Sequence, residues 1–334
     1  MAEETFSDLG RVEAIAKLYE GTPYKPFESN WFETSGKAYI SSQSRTFLEG
    51  IDFDLTYFPL KHLGYKCVTA VTGELYVEFS HPRTLDIRLG ISSKLDFKHI
   101  KEVWEGITAA AREHGFKKVN LDLLPSPNGL SISVSATGET SLLMAKRRPA
   151  AKSMDLICIS DNIGAAFMGF QVLEREKRKF EKSGEAKAQP KLDDYKGHVG
   201  AYLKPQINPQ TVKLMEEADI IPSYGYLVTR GLADTVKRLV RDSGLGAKIY
   251  VDRLPFAGKT FDLGKELDID PISAALNGGE DYRLLFTIPI GKHDKFRHDF
   301  QTFDIIGHLA KPEVGGVLVT PDGVELPLKA QGWK

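Results

Sequence analysis

Apolar residues along this chain switch repeatedly between helical and strand spacing, which restricts the fold to a mixed arrangement of helices and sheets. Arg11 to Tyr19 sets Val12, Ile15, Ala16 and Tyr19 on one helical face, with Ser7 and Asp8 as capping residues. Pro59 to Val77 reads as a helix or a broken helix, and Phe97 to His114 has helical spacing. Leu85 to Ile91 alternates apolar and polar as a half-buried strand does. Val119 to Leu123 and Leu130 to Ala136 read as strands separated by the turn residues Pro125, Pro127, Asn128 and Gly129. Further on, Leu156 to Ile159, Ala247 to Val251, Leu284 to Ile288, Asp304 to Gly307 and Gly316 to Thr320 have strand character. Ile163 to Phe180 and Leu232 to Ser243 are helical, the latter stopped by Gly244 and Gly246.

A chain of 334 residues exceeds one typical domain, so two units sharing a cleft are expected. The basic stretch Lys146-Arg147-Arg148-Pro149 falls between two strand patterns and divides the chain into residues 1–148 and 149–334. The polar segment that follows Phe180, as far as about Gly200, reads as an exposed excursion. A formal net charge of -1 argues against a nucleic-acid or membrane footprint and favours small molecules or proteins as partners. Two cysteines, Cys67 and Cys158, and no leading apolar segment point to a cytoplasmic protein without a disulfide framework. The eight histidines lack zinc-ligand spacing.

Five blocks in order carry a family resemblance. They are Leu48-Glu49-Gly50-Ile51-Asp52-Phe53-Asp54-Leu55; Pro59-Leu60-Lys61-His62-Leu63-Gly64-Tyr65-Lys66; Asp155 to Ser160 with Gly164 to Gly169; Leu173 to Lys177; and Asn277-Gly278-Gly279-Glu280-Asp281-Tyr282. Together they resemble thiamine-monophosphate kinase, from Leu9-Gly10 to Ala330-Gln331-Gly332-Trp333. The resemblance implies a two-domain α/β fold of the aminoimidazole-ribonucleotide-synthetase type. It implies a homodimer in which the first domains, the ATP-binding ones, pair their sheets into a barrel. It also implies transfer of the ATP γ-phosphate to thiamine monophosphate, with magnesium ions held by aspartates from several loops, giving thiamine diphosphate.

The positions that match the family's aspartates read differently here. The Gly-Asp-Asp motif falls on Phe27-Glu28-Ser29, and the aspartate before Leu-Glu-Gly falls on Arg45. Met-Asp-Ile-Ser-Asp-Gly-Leu corresponds to Tyr226-Leu227-Val228-Thr229-Arg230-Gly231-Leu232. Glu74 occupies a further acid position behind Val71-Thr72-Gly73, and Asp122 survives among leucines in Asn120-Leu121-Asp122-Leu123-Leu124. A divalent ion about 5 Å from an arginine, at an effective dielectric near 20, is destabilised by roughly 7 kcal/mol. Arg45 and Arg230 can instead neutralise phosphate through their planar donor forks, with Gly231 opening the helix behind them. They can equally form surface ion pairs.

Gly278 and Gly279 read as a phosphate-facing loop or as a tight turn, with Glu280 and Asp281 on the substrate side. Trp333 reads as an enclosure for an aromatic substrate or as packing against the second domain, and Asp161 as a helix cap. Two functional classes follow. The preferred one is a non-catalytic or weakly active homologue, a ligand-binding, regulatory or assembly subunit that holds a phosphorylated small molecule and forms a homodimer or a heterodimer with an active paralogue. The alternative is an active kinase using ATP and Mg2+ held by Glu28, Glu74 and Asp122.

Overall fold

The computed structural model describes residues 6–20, 31–34, 38–183 and 192–333. Its first sheet contains β1 (Trp31–Thr34), β2 (Ala38–Leu48), β3 (His81–Ile91), β4 (Lys118–Pro125) and β5 (Ser131–Ser141), in the order β1-β2-β5-β3-β4. β5 shows why it pairs where it does. In Ser-Ile-Ser-Val-Ser-Ala, Ile132, Val134 and Ala136 point inward while the intervening serines point outward, the period of two that a sheet with one buried face requires. β2 lies antiparallel to β5 along its whole length, from Ala38 opposite Ser141 to Leu48 opposite Ser131. β3 and β4 are parallel, and α3 (Phe97–Glu113) supplies the crossover such a pair needs.

α1 (Phe6–Tyr19) begins earlier than its apolar pattern, and a positive φ of 72° at Gly10 breaks it just before the expected start at Arg11. α2 (Leu60–Val77) is buried on almost every side from Leu63 to Val77. It packs on β2 and β5 with one face and on strands of the second sheet with the other, as a helix apolar all round must. Two glycines permit its close approach to α3. A Cβ on Gly64 would lie 2.0 Å from the Val103 carbonyl oxygen, and one on Gly106 would lie 1.9 Å from that of Lys61.

The chain then runs through α4 (Leu142–Lys146), β6 (Leu156–Ser160), α5 (Ala165–Ser183), α6 (Lys196–Leu203), α7 (Thr211–Glu217), β7 (Gly225–Val228), α8 (Leu232–Ser243) and β8 (Gly246–Tyr250). It ends with α9 (Thr260–Leu267), α10 (Pro271–Asn277), β9 (Arg283–Ile288), α11 (His293–Asp299), β10 (Phe303–Ala310), β11 (Gly316–Val319) and β12 (Glu325–Pro327). The second sheet has the order β12-β11-β8-β10-β6-β9-β7. β6 and β9 are almost wholly buried, so their sequences read as unbroken apolar runs rather than alternations. The fold is mixed α/β, with two sheets and the helix α2 between them. Among the described residues no helix is long and apolar enough to cross a membrane.

Candidate functional site

A cleft of about 780 Å3 opens between α2 and β2 on one side and β7 and α8 on the other. Close backbone approach positions its walls. A Cβ on Gly225 would lie 2.2 Å from the Val77 carbonyl oxygen, and one on Gly73 would lie 2.5 Å from Leu227 Cδ1 and 2.8 Å from Ile207 Cδ1. β7 is thereby pressed against α2, and Leu227, fully buried, fills the contact. Glu74 on α2 and Glu78, which caps its C-terminus, then face the cleft together with Arg230, Arg238 and Arg241 from the far wall. Arg45 enters from β2, and Arg148 from the segment joining the two sheets.

The five arginines of this cleft differ in how they are paired. Arg148 reaches Glu78, with 3.7 Å between Nη1 and Oε2, and Arg241 bonds Asp242 at 2.6 Å. Arg45 Nη2 lies 3.3 Å from Glu280 Oε1, and its guanidinium is stacked over Phe47 at 4.9 Å and Tyr282 at 5.4 Å. Among the described residues, Arg230 and Arg238 have no carboxylate within ion-pair distance. Arg238 instead covers the Tyr226 ring at 5.1 Å. Burial pushes the Glu74 carboxyl above the usual range, while Arg238, Arg45 and Arg230 pull it back and Glu78 pushes the same way as burial. Tyr224 and Tyr226 stack with nearly parallel rings at 6.4 Å on the adjoining wall.

The loop from Asn277 to Tyr282 is held from within. Gly279, Glu280 and Tyr282 have φ of 77°, 65° and 51°, left-handed values that are strained for the two non-glycine residues. Backbone pairing holds them there. The amides of Glu280 and Tyr282 donate to the carbonyls of Thr229 and Val228, each at 2.9 Å, and the Gly278 amide donates to Ala274 at 2.8 Å. Gly278 has no room for a side chain, since a Cβ would lie 2.5 Å from the Phe167 ring. Three amides of the loop therefore bond within the protein.

Asp281 is buried and accepts from the amides of Gly164 at 2.9 Å and Ala166 at 3.3 Å, which caps α5. Burial raises its pKa to about 6 against those bonds. The cap expected from Asp161 therefore comes from Asp281. Gly164, at φ 77°, delays the helix start, and Asp161 instead pairs with Arg283 at 3.3 Å.

Glu280 carries two cations from the first half of the chain. Its Oε1 meets Arg45 and its Oε2 meets Lys66 at 2.8 Å, while the Tyr282 hydroxyl donates to Oε2 at 3.2 Å. Lys66 is 1% exposed and lies 3.9 Å from the Tyr202 ring centre, 5.3 Å from Phe58 and 5.6 Å from Tyr282. Burial pushes the Glu280 carboxyl up, and Lys66 and Arg45 outweigh it to hold the group below the usual range.

The other expected site residues are dispersed. Glu28 lies outside the described residues. Asp122 lies on the exposed edge strand β4, opposite Arg88, and not in the wall that holds Glu74. Gly231 has φ 92°, and a Cβ there would lie 2.3 Å from the Leu276 carbonyl oxygen, so it joins α8 to α10. Trp333 donates to Asp234 on α8 at 2.7 Å. Sequence reasoning missed Arg148, Arg238 and Arg241. For the last two a signal existed, because both follow Arg230 at helical spacing on the polar side of α8.

Magnesium, which the resemblance implies, needs several hard oxygen donors. Among the described residues no group of three potential ligands comes together. Leu227 is locked into packing with Gly73, and Arg45 and Arg230 stand on the walls beside Glu74. Asp52, Glu74, Glu78 and Asp242 line the cleft without converging, so the described residues do not bring together the donor set of a multi-magnesium centre, and Glu28 lies outside them.

No model of a known protein family matches the chain. It is 25% identical over 292 residues to the thiamine-monophosphate kinase of Aquifex aeolicus, covering 86% of this chain and 84% of that protein. It is 22% identical over 293 residues to that of Bacillus subtilis, covering 86% and 85%. The structure of AaThiL complexed with AMPPCP and TMP superposes with a TM-score of 0.79 at 20% identity, covering 100% of this chain and 99% of that one. The hydrogenase maturation protein HypE in complex with ATP superposes with a TM-score of 0.63 at 17% identity, covering 97% and 92%.

Proposed function

We propose that the chain, a thiamine-monophosphate kinase homologue, binds a phosphorylated small molecule in its cleft without magnesium and with little or no phosphoryl transfer. The observation that carries this reading is the pair of guanidiniums, Arg230 and Arg238, that have no carboxylate within ion-pair distance among the described residues and share a cleft with Arg45. Three planar donor forks around one pocket supply the neutralisation that a metal would otherwise give to phosphate oxygens. Phosphoryl transfer between two phosphates brings many negative oxygens together, and the arginines suit the ground-state anion. Leu227, packed on Gly73, is a buried apolar residue where the family resemblance places an aspartate.

The protein then acts as a ligand-binding, regulatory or assembly subunit. The exposed edge strand β4, with Leu121 40%, Leu123 51% and Leu124 47% exposed, supports pairing with a second copy or with an active paralogue. Calorimetric titration with pyrophosphate, ATP and thiamine phosphates tests the binding claim. The expected result is equal affinity in magnesium and in a chelator. Magnesium-dependent turnover of thiamine monophosphate and ATP to thiamine diphosphate, lost in Glu74→Gln, would establish the active-kinase reading instead.

A further inference from the structure

Arg45 is the one arginine of the cleft that is tied to the loop from Asn277 to Tyr282, through Glu280. That carboxylate is bound by two cations of different kinds. Lys66 is enclosed by Phe58, Tyr202 and Tyr282, is 1% exposed, and cannot leave. Arg45 is more accessible, with 28% of its side chain exposed, and lies on the cleft wall. If Arg45 turned towards the cleft, Glu280 would keep Lys66 at 2.8 Å and the Tyr282 hydroxyl at 3.2 Å, so no buried charge would be left unpaired. The rings of Phe47 and Tyr282 under the guanidinium give it a surface on which to make that move.

We propose that Glu280 is a built-in competing anion: it holds Arg45 when the cleft is empty and yields it to a ligand with more than one negative charge. The inference rests on the metal-free anion site proposed above and adds the residue that sets its charge preference. Arg230 and Arg238 meet any anion. The third guanidinium joins only when the incoming charge outcompetes one carboxylate, so pyrophosphate groups are favoured over single carboxylates. Glu280 is accordingly a positioning residue that does not touch the ligand.

Pyrophosphate titration in chelator tests this on the full chain. Glu280→Gln alone would leave Lys66 buried without its anion, so the variant used is Lys66→Met with Glu280→Gln, its fold checked by thermal melting. Removing the competitor should tighten pyrophosphate binding by about fivefold, the scale of a partly exposed ion pair. The gain should disappear when Arg45→Gln is added. An affinity unchanged or weakened in the folded double variant overturns the inference while leaving the anion site intact, as does a gain that persists without Arg45. Binding by neither protein overturns the anion site together with it.

Discussion

Arg230 and Arg238 each present a guanidinium with no carboxylate within ion-pair distance among the described residues, so an incoming phosphate breaks no ion pair there. A charge-assisted hydrogen bond of this kind contributes about 1.5 kcal/mol, so Arg238→Ala should weaken pyrophosphate binding roughly tenfold, with no dependence on magnesium. Calorimetry of the variant in chelator checks it. A second residue reports on stability. His114 is buried, its Nδ1 lies 2.9 Å from the Tyr76 hydroxyl, and burial lowers its pKa to about 4 from the ordinary 6.5. Between those values the unfolded chain binds the proton and the folded chain does not, so this contribution to stability falls as pH drops from about 6.5 to about 4. Urea unfolding of the wild type and of His114→Gln across that window should show a steeper loss for the wild type.

At the scale of elements, the helix pair α2 and α3 depends on two glycines at backbone contact distance. Gly106→Ala would drive a Cβ into the Lys61 carbonyl, and the forced separation should cost about 3 kcal/mol, read as a fall in denaturation midpoint. Both helices were legible in the sequence, as were α8 and β5, because each carries a long apolar period. β2 was not. Its Ser-Ser-Gln-Ser-Arg-Thr run has no apolar alternation, and full-length pairing with β5 supports it. β7 was missed because a strand of four residues, Gly225–Val228, is too short to show a period.

The site was legible only in part for a related reason. Arg45 and Arg230 stood out where a resemblance leads one to expect aspartates, whereas Arg148 reaches the cleft only through the tertiary docking of the two sheets. The loop holding Glu280 was legible as glycine-rich. Its anchoring by Thr229, Val228 and Gly164 involves partners up to a hundred or so residues away, which no local pattern reveals.

At the scale of the whole molecule, one fold carries both an arginine-walled cleft and an exposed sheet edge. A Leu123→Lys change on β4 places a charge on that edge and should shift the protein towards monomer in light scattering, if the edge pairs with a second chain. Co-expression with an active paralogue should give a mixed dimer, and recovery of separate homodimers alone would count against an assembly role. The central claim is that the cleft neutralises phosphate with guanidinium groups in place of metal. A crystal grown with a non-hydrolysable ATP analogue and manganese, with anomalous data collected, tests it most directly. Phosphate oxygens should lie within hydrogen-bond distance of Arg230 and Arg238, with no manganese peak in the cleft. Manganese ions bridging those oxygens to Glu74 would contradict it.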